Sequence, residues 1–310
     1  MNNQYLSIII SVNMEKKFLK VGNSINFKFN TDGLEYDLVP GTVYNIIVDR
    51  YTDAISLQES GDLSLPSKVY CTPRDERFMD KVINSYNLSE NGFTGVMLAG
   101  LKGSGKTVMA KMIANKSGLP IINIDKNIRP HILRNIVEKL GDTSVCFLFD
   151  ELDKVLADYD DSFLLQVLDG SNTNGKHMIL FTCNDDSEIS EYLIDRCSRI
   201  RYWREFDEMS PSLITEVLND KLNDKKEIKS LTDFIKDNFE VCSFDNIVSF
   251  VKEANNYPTT TFEELFEDMN LSSKGAIKPH ARSCKDNCLK NVKKKAASDD
   301  CCCSWCCAGC

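Results

Sequence analysis

The chain has 310 residues, of which 37 are Lys or Arg, 46 are Asp or Glu and 42% are apolar. This length allows two domains and a tail, the composition excludes disorder throughout, and the lack of any run of about 18 apolar residues excludes a membrane-spanning helix. The net charge of −9 is unevenly spread, because residues 271–310 carry +5 and the other 270 carry −14. An acidic surface repels a phosphate backbone, so DNA is a less favoured partner.

The first 66 residues predict a β-rich N-terminal module. Residues 25–29 alternate apolar and polar side chains, and turn signals with glycine stand at residues 22, 33 and 41. The apolar stretch 6–12 has no basic region before it, which argues against a signal peptide and for a cytoplasmic protein.

Residues 67–206 predict an α/β domain, because strands and helices alternate along the chain. The expected fold is a parallel sheet with helices on both faces. Predicted strands are 94–99, 119–124, 144–149, 177–183 and 200–203. Predicted helices lie around 78–86, after 105, at 130–140 and at 163–168. Residues 207–270 predict a small helical subdomain, with helices at 211–222, 228–238 and 243–254.

The strongest motif is GLKGSGKT, residues 100–107, which follows an apolar strand and opens a helix. Its glycines let backbone N–H groups approach phosphate oxygens, and the helix N-terminus favours negative charge. We expect Lys106 to reach the β- and γ-phosphates of ATP and the Thr107 hydroxyl to ligate Mg²⁺. The predicted nucleotide-binding residues are Gly100, Leu101, Lys102, Gly103, Ser104, Gly105, Lys106, Thr107 and Val108.

An acidic pair follows the apolar run 144–149. Such a run predicts a strand buried on both faces, and ligands collect at the carboxyl ends of strands in open α/β sheets. We expect Asp150 to hold the hydrated Mg²⁺ and Glu151 to polarise the attacking water.

With these two motifs the chain resembles the AAA group of P-loop ATPases over residues 70–255. The segments FLLQVLDG (163–170) and HMILFTCNDDSEISEYLIDRCSRI (177–200) carry the rest of the resemblance. It implies that Asn184 is a sensor near the γ-phosphate, and that Arg196 and Arg199 are donated to the nucleotide of a neighbouring subunit. The alternatives are a strand-end cap for Asn184 and surface cations for the two arginines.

The family further implies a self-assembled ring, a homo-hexamer, that remodels a protein partner not identified by the sequence. The spacing of the motifs is most similar to AAA proteins related to the mitochondrial Rieske-protein translocase and to phage and viral AAA ATPases; for a viral protein the cytoplasm would be that of an infected host cell. Residues 125–130 lack the aromatic pore residue of many unfoldases, and Ile128 is their only large apolar side chain. Two alternatives stay open: a clamp-loader-like or replication ATPase acting on DNA, and a nucleotide-regulated scaffold with little turnover.

The tail, residues 271–310, holds eight of the thirteen cysteines. Three interpretations stay open: a disordered extension, a metal-binding knuckle, and a membrane attachment in which acylated cysteines act beside the basic run. The other five cysteines are scattered, as expected for reduced thiols, and none is needed for the predicted chemistry.

Overall fold

The computed structural model describes residues 18–21, 23–27, 35–49, 51, 54–156, 159, 162–169, 175–187, 189–194 and 196–274. The apolar stretch 6–12 and residues 275–310 of the predicted tail lie outside the described residues. Residue contacts divide the chain into two units, Met1–Asp207 and Glu208–Cys310, and the division falls one residue after the predicted end of the α/β domain. No helix within the described ranges is long and apolar enough to cross a membrane.

The first unit contains a ten-stranded sheet and six helices among its described residues. Its strands are β1 (Phe18–Val21), β2 (Ser24–Phe27), β3 (Glu35–Tyr36), β4 (Thr42–Val48), β5 (Ile55–Asp62), β6 (Gly92–Gly100), β7 (Ile121–Ile124), β8 (Cys146–Phe149), β9 (Lys176–Cys183) and β10 (Tyr202–Phe206). Its helices are α1 (Pro73–Leu88), α2 (Lys106–Ser117), α3 (Pro130–Leu140), α4 (Leu152–Leu156), α5 (Ser162–Leu168) and α6 (Glu191–Ile194).

The strand order is β10-β6-β9-β8-β7-β4-β5-β2-β1-β3. The strands from β10 to β4 pair in parallel with their neighbours, and the pairs from β4 to β3 are antiparallel. Because β9 lies between β6 and β8 and pairs in parallel with both, the carboxyl ends of these three strands lie at one edge of the sheet. That edge is where both predicted motifs emerge.

The N-terminal strands continue this sheet, because β4 pairs in parallel with β7. The sheet is therefore continuous across the predicted boundary at residue 66, and the separate N-terminal module stays a prediction. What the structure adds is an antiparallel extension that begins at the β4–β5 pair.

Helices cover both faces of the parallel strands. In β8, Phe147 and Phe149 pack in the cluster that includes α3 and α5, whereas Cys146 and Leu148 pack in the cluster that includes α1 and α2. All four side chains are at most 3% exposed. Burial on both faces explains why this strand is a continuous apolar run rather than an alternating one. The predicted α/β fold with a flanked parallel sheet is confirmed.

The second unit is helical in its described residues, as predicted. It comprises α7 (Pro211–Lys221), a 3₁₀ turn (Lys225–Glu227), α8 (Ile228–Asn238), α9 (Phe244–Asn256) and α10 (Phe262–Asp268). Phenylalanines from three helices and the α8–α9 loop form its centre, with the Phe239 ring 5.3 Å from that of Phe250 and edge-on to it. Such a pair contributes about 0.5–1.5 kcal/mol beyond its buried area. Its action as a lid stays a prediction.

Candidate nucleotide site

The loop between β6 and α2 has a backbone that only glycine adopts easily. Gly100, Gly103 and Gly105 have φ angles of +125°, +74° and +101°. A Cβ on Gly100 would lie 2.3 Å from the carbonyl oxygen of Phe206, so a larger residue would push the loop away from β10. Gly105 is the N-cap of α2 and offers no side chain to cap it, which leaves the first N–H groups of the helix for a ligand.

Lys106, the first residue of α2, is 5% exposed and points into the loop. Its Nζ donates to the carbonyl oxygens of Gly100 and Leu101, each at 2.7 Å. An ammonium carries three donors, so one remains for a phosphate oxygen. Burial lowers the pKa of Lys106, because a buried ammonium loses its hydration.

A short chain of hydrogen bonds joins the two predicted motifs. The Thr107 hydroxyl donates to Asp150 Oδ1 at 2.8 Å, and the Thr182 hydroxyl donates to the same oxygen at 2.7 Å. Thr182 lies on β9, the strand between the two motif-bearing strands, and is 1% exposed. The predicted metal ligands Thr107 and Asp150 are therefore in direct contact.

The fit of this site to Mg²⁺ rests on its oxygen atoms. A hydroxyl and a carboxylate oxygen stand 2.8 Å apart at the mouth of the phosphate loop, and both are hard ligands of the kind that Mg²⁺ prefers. Mg²⁺ is commonly held by one or two carboxylates together with substrate phosphates and waters, so a single protein carboxylate fits. Within the described part of the chain, no group of three or more His, Cys, Asp or Glu side chains forms an all-protein metal cage.

Glu151 has a constrained backbone, with φ at +57°, and is the one described non-glycine residue with a positive φ. Its N–H donates to Thr182 Oγ1 at 2.8 Å, which holds this conformation. Left-handed backbone in a non-glycine residue costs about 1–2 kcal/mol, and such strain is concentrated at functional sites. The Glu151 carboxylate accepts a hydrogen bond from the ammonium of Lys154, one turn later in α4. That bond raises the pKa of Lys154, which keeps the ammonium charged.

Asn184 follows β9 and lies at the same edge of the sheet. The preceding residue, Cys183, pairs in register with Ala99, which stands directly before the phosphate loop. The Asn184 N–H donates to Asp153 Oδ1 at 3.0 Å, so the first turn of α4 is fixed to the loop after β9. This placement is compatible with the predicted sensor role, which stays a prediction.

The two predicted arginines have different environments. Arg196 is 64% exposed at its side chain, with its guanidinium 3.9 Å from the Asp169 carboxylate. Arg199 is only 7% exposed, donates through Nε to Asp169 Oδ1 at 2.8 Å, and also bonds Asp169 Oδ2 and the Tyr192 carbonyl oxygen. This pairing holds the pKa of Asp169 below its usual range.

The predicted donation of Arg199 to a neighbouring subunit stays a prediction. Within its own chain the guanidinium bonds Asp169 and the Tyr192 carbonyl oxygen, and these bonds hold the loop around Arg199. Gly95 supports the same loop, because a Cβ there would lie 1.9 Å from the Arg199 carbonyl oxygen. Arg196, by contrast, remains presented at the surface.

The loop 125–130 has no large apolar side chain that is exposed to solvent. Ile128, its only such residue, is 6% exposed and packs in the core that includes α3 and α5. In this conformation Ile128 is not exposed in the way that the aromatic pore residue of many unfoldases would be.

Sequence reasoning missed three residues that shape the site, Thr182, Lys154 and Asp153, and it named Asp169 only as part of the segment 163–170, without a role. Thr182 carried a signal, since it is the one hydroxyl in the apolar run 178–183 and stands two residues before the predicted sensor Asn184. Lys154 bonds a residue of its own helical turn, whereas Asp153 and Asp169 bond residues about thirty positions away, which periodicity does not report.

Comparison with protein families matches residues 96–205 to the family described as ATPase family associated with various cellular activities (AAA). No curated protein matches the chain in a sequence comparison. The matched segment runs from β6 to β10 and so contains the phosphate loop, the acidic pair and both arginines. Residues 96–205 are therefore a nucleotide-binding domain of the AAA ATPase family.

Proposed function

We propose that this chain binds ATP with Mg²⁺ and hydrolyses it within a ring of identical subunits to remodel a partner protein. The observation that carries the proposal is the hydrogen-bond chain from Thr107 through Asp150 to Thr182. It joins residues from three elements at the end of a loop shaped for phosphate, and it fixes the acidic pair next to that loop.

Each side chain has a separate task in this proposal. Lys106 contacts the β- and γ-phosphates with the donor that the loop carbonyls leave free. Glu151 takes the proton of the attacking water, and Asn184 holds that water in line with the γ-phosphate. Thr107 and Asp150 would hold Mg²⁺, which when bound neutralises charge on the phosphate oxygens.

Arg196 completes the site of a neighbouring subunit. It is a long, exposed cation on the loop that Arg199 and Asp169 hold in place. An arginine supplied in trans stabilises the charge of the transferring phosphoryl group and increases turnover by about 10³–10⁵-fold in other phosphoryl-transfer enzymes. The ring, a hexamer by resemblance to the family, follows from this need for a neighbour.

Nucleotide binding is the first test of the proposal. Lys106→Ala should abolish binding of a fluorescent ATP analogue. Lys102→Ala, which changes an exposed lysine of the same loop, should lose only a small part of the affinity. Equal binding by the Lys106→Ala protein and the unchanged chain would show that the loop is not the phosphate site.

Subunit mixing tests the role in trans. Arg196→Ala and Glu151→Gln proteins should each bind ATP and turn it over poorly when alone. Mixed in equal amounts, they should regain part of the turnover, because a Glu151→Gln subunit donates Arg196 to a neighbour that still has Glu151. Mixtures no more active than either protein alone would contradict a donated Arg196.

A pull-down with the Glu151→Gln protein in the presence of ATP should identify the partner, because slow turnover prolongs the ATP-bound state of the chain. We expect a protein to be captured with ATP and released with ADP. Hydrolysis stimulated by DNA would favour the DNA-acting alternative, and ATP-dependent assembly with almost no turnover would favour the scaffold.

A further inference from the structure

Lys154, which is not among the predicted site residues, contacts Glu151, the predicted base. The Lys154 ammonium bonds Glu151 Oε2, and both side chains are partly exposed, at 47% and 35%. The two residues are one helical turn apart, with the Lys154 N–H donating to the Glu151 carbonyl oxygen at 3.0 Å. The contact is thus formed entirely within the first turn of α4.

The Glu151 backbone and the Asp153 side chain, which lies between Glu151 and Lys154 in the sequence, are both held in place. The Glu151 N–H is bonded to Thr182, and the Asn184 N–H is bonded to the Asp153 carboxylate. Because the backbone is fixed, the Glu151 carboxylate changes direction only by rotating its side chain. The Lys154 ammonium favours one of these rotamers over the others.

A base must lie within hydrogen-bond reach of the proton that it accepts. The Glu151 oxygen that bonds Lys154 is occupied by a donor that carries its own protons and accepts none. As long as the pair persists, this oxygen does not take a proton from a water.

We infer that Lys154 is a positioning residue that holds Glu151 in a resting orientation, so that ATP turnover is faster when the pair is open. The inference rests on the proposed function, in which Glu151 is the base. It predicts that the chain is partly inhibited by its own lysine, and that removing the ammonium speeds the chemical step without changing nucleotide affinity.

The size of the effect follows from the strength of the pair. Exposed ion pairs of this kind shift an equilibrium by about 1.4-fold to fivefold. Lys154→Ala should therefore raise kcat for ATP by about that factor, with KM unchanged. Lys154→Arg, which keeps the cation, should behave like the unchanged chain.

A matched control removes a different lysine. Lys116 forms an ion pair with Asp80, its side chain is 46% exposed, and it lies at the far end of α2 from the phosphate loop. Lys116→Ala should leave kcat unchanged. A rise in kcat for both alanine variants would overturn the inference, because loss of any surface ion pair would then suffice.

Ionic strength provides a second readout that a purely structural role would not change. Salt screens exposed ion pairs, so at saturating ATP the kcat of the unchanged chain should rise with added KCl toward that of Lys154→Ala. The ratio of the two kcat values should fall toward one. A ratio that stays constant with salt would contradict the inference.

The outcomes separate this inference from the proposed function. If the unchanged chain hydrolyses ATP and Lys154→Ala has an equal or lower kcat, the resting contact is refuted and the proposed function stands. If the unchanged chain does not hydrolyse ATP under any assembly condition, both are refuted. The inference is supported if Lys154→Ala hydrolyses ATP faster than the unchanged chain and the double variant Lys154→Ala/Glu151→Gln has no turnover.

Discussion

Thr182 is the residue whose removal should disturb the site most for the smallest change in shape. Its hydroxyl donates to Asp150 Oδ1 at 2.7 Å and accepts the Glu151 N–H at 2.8 Å. Thr182→Val keeps the volume and branching of the side chain but deletes both hydrogen bonds. We expect a less stable α/β unit and a Glu151 backbone no longer held in its left-handed conformation.

The magnitude follows from the two lost bonds. A hydrogen bond to a charged group contributes about 1.5–3 kcal/mol, and a buried N–H left without a partner costs about 1–3 kcal/mol. Asp150 and Glu151 are only partly buried, so water replaces part of the loss. The lower ends of both ranges therefore apply, and we expect the free energy of unfolding to fall by roughly 2–3 kcal/mol.

Thr94 provides a matched control on the neighbouring strand β6. It is also 1% exposed, but its hydroxyl is buried without a hydrogen-bond partner. Thr94→Val deletes an unsatisfied polar atom, so it should be neutral or stabilising. Urea unfolding followed by fluorescence measures both variants against the unchanged chain. Equal unfolding free energies for Thr182→Val and Thr94→Val would refute the role given to the Thr182 hydroxyl.

Two further changes test the arginine loop and a buried histidine. Arg199→Ala should lower the unfolding free energy by about 3 kcal/mol, the lower end for a broken buried pair, because Asp169 is half-exposed. Arg196→Ala should change it by less than about 1 kcal/mol, because Arg196 is exposed. Similar losses for the two variants would contradict the different contacts described for the two arginines. Burial lowers the pKa of His177 to about 4, whereas histidine in the unfolded chain titrates near 6.5. Between pH 4 and 6.5 the unfolded chain therefore binds more protons than the folded chain. The free energy of unfolding should then fall by roughly 3 kcal/mol in total as the pH drops from about 6.5 to below 4. His177→Leu should reduce this loss. His131→Leu, a change at an exposed position, should not reduce it.

Much of the fold could be predicted because its physical signals are local. Buried parallel strands such as β8 are continuous apolar runs, and helix starts carry capping residues, as Ser243 does for α9 by accepting the Asn246 N–H. Short helices were harder. α4 has five residues, too few for a helical period to be recognised, and only the contacts of Asp153 and Glu151 reveal its position.

The site was predictable where one motif carries its own geometry. The phosphate loop needs glycines and a lysine at fixed positions, which can be read directly from the sequence. The structure has positive φ angles at these glycines and a hydrogen bond from Lys106 to the Gly100 carbonyl oxygen. The arginine pair differs, because nothing in Arg-Cys-Ser-Arg tells which side chain is buried. That choice is made by Asp169, about thirty residues earlier, and by the missing side chain of Gly95.

The central claim is that this site hydrolyses ATP with Glu151 as the base. The most direct measurement compares steady-state ATP hydrolysis and ATP binding for the unchanged chain and the Glu151→Gln variant. Glutamine keeps the shape of the side chain but is not a base, so we predict retained binding and a turnover reduced by at least about 10²-fold, the lower end of what a positioned base contributes. Hydrolysis by Glu151→Gln at the rate of the unchanged chain would contradict the account.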